Sequence, residues 1–426
     1  FLGRAILAAE EAVKKYVNFS DSLTDAVKNN SRSKMALDDC KEMMNFSIES
    51  LQASYAEVDS SQLLSIGARV PDLRTWLSAA ISYQQSCLDG FEHDAEMKET
   101  MTKNITEATE LTSNALAIVT KFTHILSRFG LHGPPSRRLL SVTKEKTGYP
   151  SWFSNADRKL LSMIDNNNIK PDVVVALDGT GQFKTIAEAL AAAPKKSKDR
   201  HVIYVKAGVY DEQIVVDKQT INILMYGDGP RKTIVTGNKN FVDGTQTFRT
   251  STFCKFSKSL EKFIPENFVK IYNNFMHFNC AAVIGDGFIV RSMGFQNTAG
   301  PEKHQAVALR VQSDRSAFFN CRMDAYQDTL YNQANRQFFR NCVISGTIDF
   351  IFGDSPTVIQ NSLLIVRRPM NHQLNTVTAQ GKIDPNENTG IVIQNCKIVP
   401  EQSLFVDRFK IPTYLGRPWK KCSNKI

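Results

Sequence analysis

The chain has 426 residues, 42% of them hydrophobic and 22% charged, which is globular composition and excludes a disordered or fibrous chain. No apolar run approaches the roughly 20 residues of a membrane span, and the length favours two domains over one. Fifty-two Lys and Arg against 43 Asp and Glu leave a net charge of +9, which favours an anionic partner: nucleic acid, an anionic membrane face or an acidic polysaccharide.

The first residue is Phe1, with no charged-then-apolar leader after it, so the sequence reads as a mature form or a fragment. Eight cysteines without CxxC spacing argue against a zinc site and a disulfide scaffold. Four N-x-[ST] sequons begin at Asn18, Asn29, Asn45 and Asn104, all in the first quarter, which leans towards a secreted, glycosylated chain.

Residues 1–130 read as an all-α antiparallel helix bundle. Met35, Leu37, Cys40, Met44, Ile48 and Leu51 form one apolar stripe near the 3.6 period. A second holds Leu73, Leu77, Ala80, Cys87 and Phe91, with Pro71-Asp72 as its helix start. A third runs from Met101 to Ile125. Cys40 and Cys87 either staple two of these helices or are two buried free thiols. Residues 131–170 read as a linker, opened by Gly133-Pro134-Pro135 and the dibasic stretch Arg137–Leu140.

Beyond Asp172 the texture changes. Val173–Ala176, Val202–Val205, Ile214–Val216, Ile221–Met225 and Thr233–Val235 are short β-branched runs broken by Gly, Asp and Asn. Asp178-Gly179-Thr180-Gly181 lacks the Gly-Lys-[Ser/Thr] ending of a phosphate loop, which argues against nucleotide binding. An apolar-Asn-small motif recurs with its asparagines at 297, 320, 341, 361 and 395. A period near 20 residues without intervening helices predicts a parallel β-helix, whose equivalent residues stack ~4.8 Å apart.

That period brings two carboxylates together. Asp328 lies seven residues after Cys321, and Asp349 seven after Cys342, one coil apart. Like charges about 5 Å apart cannot both ionise easily, so one pKa must rise, and a proton-holding acid beside an ionised nucleophile is an acid–base pair. Tyr326, Tyr331, Phe350 and Phe352 suit stacking on sugar rings. The pair alone does not fix the reaction, since retaining glycosidases space their carboxylates similarly. The absence of G-x-S-x-G and H-E-x-x-H disfavours a serine esterase and a zinc hydrolase.

Five segments carry a resemblance: Gly208–Glu212, His304–Arg310, Tyr326–Tyr331, Gly346–Gly353 and Leu415–Trp419. In this order they closely resemble plant pectin methylesterases, from about Tyr149 to Trp419. The helical region resembles the inhibitor-like pro-domain of that family. The resemblance implies a right-handed parallel β-helix, a Cys40–Cys87 disulfide and a processing site at Arg137–Leu140. It implies hydrolysis of the methyl esters of pectin, secreted to the plant cell wall, with pectin and the pro-domain as partners in place of nucleic acid, and with no cofactor or metal. Asp349 matches the nucleophile and Asp328 the acid that protonates methanol and then activates water. Gln305 and Gln327 match the amides that stabilise the tetrahedral anion, and Arg417 the residue that orients the nucleophile. Thr247 and Trp419, with Gln305 and Arg417, match substrate-binding positions.

Against the family pattern, residues 254–281 read as an insertion, either translated intron or surface loop, and both ends read as truncated, with the last coil uncapped. The competing readings are a pectin-acting glycosidase or lyase on the same solenoid, and an inactive esterase whose helical domain acts as an inhibitor.

Overall fold

A computed structural model of the chain describes residues 1–23, 27, 31–60, 63–128, 148–162, 169–251, 282–283 and 285–423. The Arg137–Leu140 stretch and the expected insertion at 254–281 lie outside the described residues.

Four long helices occupy the N-terminal region: α1 (Leu2–Ser22), α2 (Ser31–Ser60), α3 (Leu63–Asp89) and α4 (Ala95–Arg128). The three apolar stripes become the inward faces of α2, α3 and α4, and α1 adds Ile6, Ala9, Val13 and Tyr16 to the same core. Cys40 and Cys87 form a disulfide that ties α2 to α3. One boundary differs from the sequence reading. Pro71 does not start a helix but lies inside α3. A proline costs an interior helix about 3 kcal/mol, through a lost N–H bond and a clash with the carbonyl four residues back. Val70, Leu73 and Leu77 are all buried around it, and burying such side chains yields about 1.5–3 kcal/mol each, so packing wins.

The rest is a right-handed parallel β-helix of three sheets in which every pairing is parallel. The first sheet has eight strands, from Val173–Val175 to Gly390–Gln394; the second has seven, from Gly208–Asp211 to Lys397–Pro400; the third has seven, from Val215–Val216 to Thr413–Pro418. Strands in a parallel solenoid bury their inner face, and here Ile203, Met225, Val290, Phe318, Phe339 and Ile359 stack in register through the interior. Phe318 and Phe339 lie one coil apart, with stacked rings 4.9 Å between centroids. A short helix, α6 (Ile186–Ala192, after the α5 described below), closes one end with a Thr185/Glu188 capping box and packs Ile186, Ala189 and Leu190 on the core.

The repeated asparagines have a geometric cause. Asn320, Asn341, Asn361 and Asn395 take φ of 51–55°, the left-handed turn between the first and second sheets, which Asn tolerates better than most residues. Asn297 is not their equivalent. Arg322 pairs with Gly294, so the matching position on the earlier coil is Ser292, while Asn297 ends a strand and holds the Lys239, Thr250 and Val307 carbonyls.

The second half of the expected linker is not a linker. Tyr149, Phe153, Leu161 and Ile169, with α5 (Asn155–Ser162) among them, pack on the outer face of the first sheet against Leu224, Tyr226, Ile289 and Phe338. Aromatic burial straps this segment to the solenoid.

Candidate active site

Pairing of Leu330 with Ile351 fixes the register of the third sheet at 21 residues per coil. Asp328 and Asp349 sit two residues ahead of that pair, at equivalent places on neighbouring coils. Both adopt left-handed backbone, φ 63° and 51°, at the tight turn into the third sheet. Gly346 permits the turn, since a Cβ there would meet Phe350 at 2.2 Å and the Tyr326 carbonyl at 2.6 Å.

The two carboxyls are electrostatically unequal. Arg417, from the last strand of the third sheet, clamps Asp349: its Nε donates to both carboxylate oxygens at 2.8 and 2.9 Å, and its Nη2 bonds the second. The bond to Asp349 is the chief cause that raises the guanidinium pKa. Among the described residues Asp328 has no such partner. Burial first, then the charge of Asp349, pushes its carboxyl well above the usual range; Glu92 adds to the shift and Arg417 opposes it. The two carboxyls therefore sit in unlike surroundings, one clamped by a guanidinium and one buried with a raised pKa.

Gln305 and Gln327 come together by a backbone bridge between adjacent coils, one rung before the aspartates. Among the described residues neither side-chain amide has a hydrogen-bond partner, so both can donate into the space beside Asp349. The outward row of the third sheet supplies the floor: Tyr331, Phe352, Ala379 and Arg417 follow each other in register and line the cavity. Tyr331 and Phe352 stack at 4.4 Å, and Trp419 meets Phe352 edge-on at 6.0 Å.

Gln305, Gln327, Asp328, Asp349, Arg417, Trp419 and Thr247 all line one cavity of about 230 Å³. Two expected sugar-stacking residues do not. Phe350 is fully buried in the solenoid core, because its position in the coil points inward. Tyr326 lies outside the cavity, its ring beneath the Arg367 guanidinium at 3.7 Å and its hydroxyl accepting from that residue at 2.7 Å. Among the described residues, Phe241, Phe248, Tyr331, Phe352 and Trp419 are the Phe, Tyr and Trp side chains that line the space.

The helix bundle supplies the other wall, which no motif in its sequence marks residue by residue. Asp39 and Met43 of α2, Ser86 and Asp89 of α3, and Gly90, Glu92 and His93 of the following turn line the same cavity. The helix bundle thus docks over the cleft. Ser82 donates to the Gln333 carbonyl at 2.7 Å, Arg336 and Arg315 reach Asp72 at 2.7 and 3.2 Å, and Asn388 donates to Thr75 at 3.0 Å. Carboxylates of the bundle cover cations at the cleft edges, Asp89 on Lys420 and Asp39 with Glu42 on Arg249. No pattern in one helix reports which foreign surface it will meet, so this contact has no sequence signal.

A buried carboxyl pair, one member clamped by a guanidinium, on the outer face of a parallel β-helix is an arrangement suited to acid–base chemistry. Comparison with known proteins narrows the class. The pectinesterase family model matches residues 172–274 and 265–426, and the plant invertase/pectin methylesterase inhibitor model matches residues 2–118. The chain is 43% identical over 428 residues to "Probable pectinesterase/pectinesterase inhibitor 21" of Arabidopsis thaliana, covering 98% of this chain and 59% of that protein. It is 40% identical over 447 residues to "Pectinesterase 3" of Citrus sinensis, covering 99% of this chain and 71% of that one. The structure of pectin methylesterase from carrot superposes with a TM-score of 0.53 at 48% identity, over 60% of this chain and 72% of that one. The chain belongs to the pectinesterase family, with an inhibitor-type domain ahead of the β-helix. It spans 50–61% of the length of the first four curated relatives it matches.

Proposed function

We propose that this chain hydrolyses the methyl esters of pectin, releasing methanol and leaving galacturonate carboxylates, outside the cell in the plant wall. The observation that carries the reading is the unequal aspartate pair, Asp349 clamped by Arg417 and Asp328 buried beside it. In this reading the ionised Asp349 attacks the ester carbonyl. The Gln305 and Gln327 amides donate to the oxyanion. Asp328 gives its proton to the departing methoxide, so methanol leaves and an acyl–Asp349 anhydride remains. Asp328, now ionised, takes a proton from water, whose oxygen attacks the acyl carbon and frees Asp349 and the product acid. Trp419, Tyr331 and Phe352 offer the sugar chain an aromatic floor, and Thr247 lines the same cavity. The exposed asparagines of three sequons, Asn18, Asn45 and Asn104, support a secreted, glycosylated chain.

The docked bundle supports its reading as an inhibitor of its own cleft, with cleavage in the 131–147 segment, at Arg137–Leu140, as a route to release. Methanol release from highly esterified pectin is the test. The Asp349→Asn chain is expected to release none, and Asp328→Asn to be 10²–10⁴-fold slower, the usual worth of general acid–base catalysis. New reducing ends or unsaturated products in place of methanol would establish the glycosidase or lyase instead.

A further inference from the structure

The turns that carry the two aspartates share one support behind the cleft. Asp328 and Asp349 both sit in left-handed backbone, which a residue other than glycine keeps only where its surroundings hold it. Asp324 pairs with Ser345 and Gly346 with Val366, so Tyr326, Thr347 and Arg367 lie at about the same place on three successive coils. The Thr347 amide donates to the Tyr326 carbonyl at 2.8 Å, and the Arg367 amide donates to the Gly346 carbonyl at 2.7 Å. Gly346 lies three residues ahead of Asp349, so the second of these bonds holds the entrance to the Asp349 turn.

The side chain of Arg367 then reaches back past Thr347 to the coil before. Its Nη1 donates to the Ala325 carbonyl at 2.9 Å and its Nη2 to the Tyr326 hydroxyl at 2.7 Å, with the guanidinium over the Tyr326 ring at 3.7 Å. Its Nε faces Glu401 Oε2 at 3.4 Å, and Glu401 is itself held by the Arg368 amide at 2.6 Å and the Ser403 hydroxyl at 2.7 Å. Ala325 stands to Asp328 as Gly346 stands to Asp349, three residues ahead. One residue thus holds the equivalent carbonyl of both turns, through its backbone on one coil and its side chain on the other. A planar guanidinium suits this task, because it donates to several acceptors at fixed angles. The side chain is 23% exposed, so solvent competes little for these bonds. Neither Arg367 nor Tyr326 lines the cavity, so their part in the chemistry is at one remove.

We propose that Arg367, with Tyr326 as its platform, is a positioning residue that sets the distance between the Asp328 and Asp349 carboxyls. The proposal rests on the esterase reading for its kinetic consequence. A misplacement of about 1 Å in such a constellation costs on the order of 10²-fold in rate. The electrostatic consequence stands apart from turnover. Burial and the Asp349 charge hold the Asp328 carboxyl well above its usual range. A loosened turn admits water and lets the two carboxyls part, and both changes bring that value down.

The experiment compares the unaltered full chain with its Arg367→Met, Arg367→Lys and Tyr326→Phe variants. Arg367→Met keeps the apolar stem and removes every donor. In methanol release from esterified pectin, its kcat should fall about 10- to 100-fold with KM held within about twofold. The alkaline limb of its kcat profile should move to lower pH. Arg367→Lys, which keeps a charged donor, should restore part of kcat and bring the limb back towards its original place. Tyr326→Phe, which removes one acceptor, should cost about threefold in kcat. A raised KM at unchanged kcat would make Arg367 a substrate contact, and a lowered Tm with kcat and the limb unmoved would leave it a structural brace; either result overturns the proposal. Titration of the carboxyl carbon-13 signals, with Asp328→Asn to assign the resonance, needs no turnover. Asp328 should titrate at lower pH in Arg367→Met than in the unaltered chain, and equal midpoints overturn the proposal. Should Arg367→Met not fold, Arg367→Lys and Tyr326→Phe carry both measurements, and an unmoved limb and midpoint in both overturn it. A chain that releases no methanol refutes the esterase reading, and the titration then decides the positioning role by itself.

Discussion

The charge state of Asp328 is decided within a few ångströms. Its folded-state pKa is raised above the ordinary 3.8, chiefly by burial and next by Asp349. The native carboxyl keeps its proton at pH values where the unfolded chain has lost it. Its contribution to stability is therefore complete below about 3.8 and is lost as pH rises through the folded value. Asp328→Asn, which cannot ionise, should raise Tm at pH 7 but leave it nearly unchanged at pH 3, while methanol release falls. Thermal unfolding across that range checks this, and an equal change at both pH values would count against a buried, proton-holding Asp328. The same loss of the proton at higher pH should depress methanol release on the alkaline side. The 21-residue spacing placed both aspartates together from sequence, but their inequality depends on Arg417, 68 residues beyond Asp349.

Periodicity decided most elements, and packing decided the exceptions. The Asn turns at 320, 341, 361 and 395 were legible because left-handed backbone restricts residue choice. Asn297 shared the motif without the geometry, and only the strand register separates them. Phe350 was misjudged for a related reason: a turn immediately ahead of a strand sets which way the next side chain points, and spacing does not report it. Pro71 shows burial overriding a local stop signal. In the bundle, the Cys40–Cys87 bond closes a loop 47 residues in separation. Chain-entropy arguments put its worth at about 4 kcal/mol. Cys40→Ser with Cys87→Ser should lower the denaturant midpoint of the helical transition accordingly, while the solenoid transition stays in place; coincident shifts would mean the two regions unfold as one unit.

At the scale of the whole molecule, the fold sets one domain on the working face of the other. Asp72 of α3 accepts from Arg336 and Arg315 of the solenoid, and Arg336 keeps Asp314 as a second partner. Asp72→Asn should weaken docking without stranding that arginine. Removing one partner of such a buried pair costs on the order of 2 kcal/mol, enough to multiply the undocked population by about 30. Methanol release by the full chain should rise several-fold at unchanged Tm of the solenoid. Unchanged release would show that the docked bundle does not limit access.

The sequence by itself determined the two-domain division, the solenoid period and the pairing of Asp328 with Asp349, because repeat length and side-chain pattern are properties of the chain read one coil at a time. It also carried the resemblance that named Gln305, Gln327, Arg417, Thr247 and Trp419, all of which reach one cavity. Only the tertiary structure decided that Asp39, Asp89 and Glu92 of the bundle face that cavity and that Tyr331, Phe352, Ala379 and Arg417 form one row along its floor. Those relations join residues hundreds of positions apart through docking and register, and no local pattern encodes which surfaces will meet.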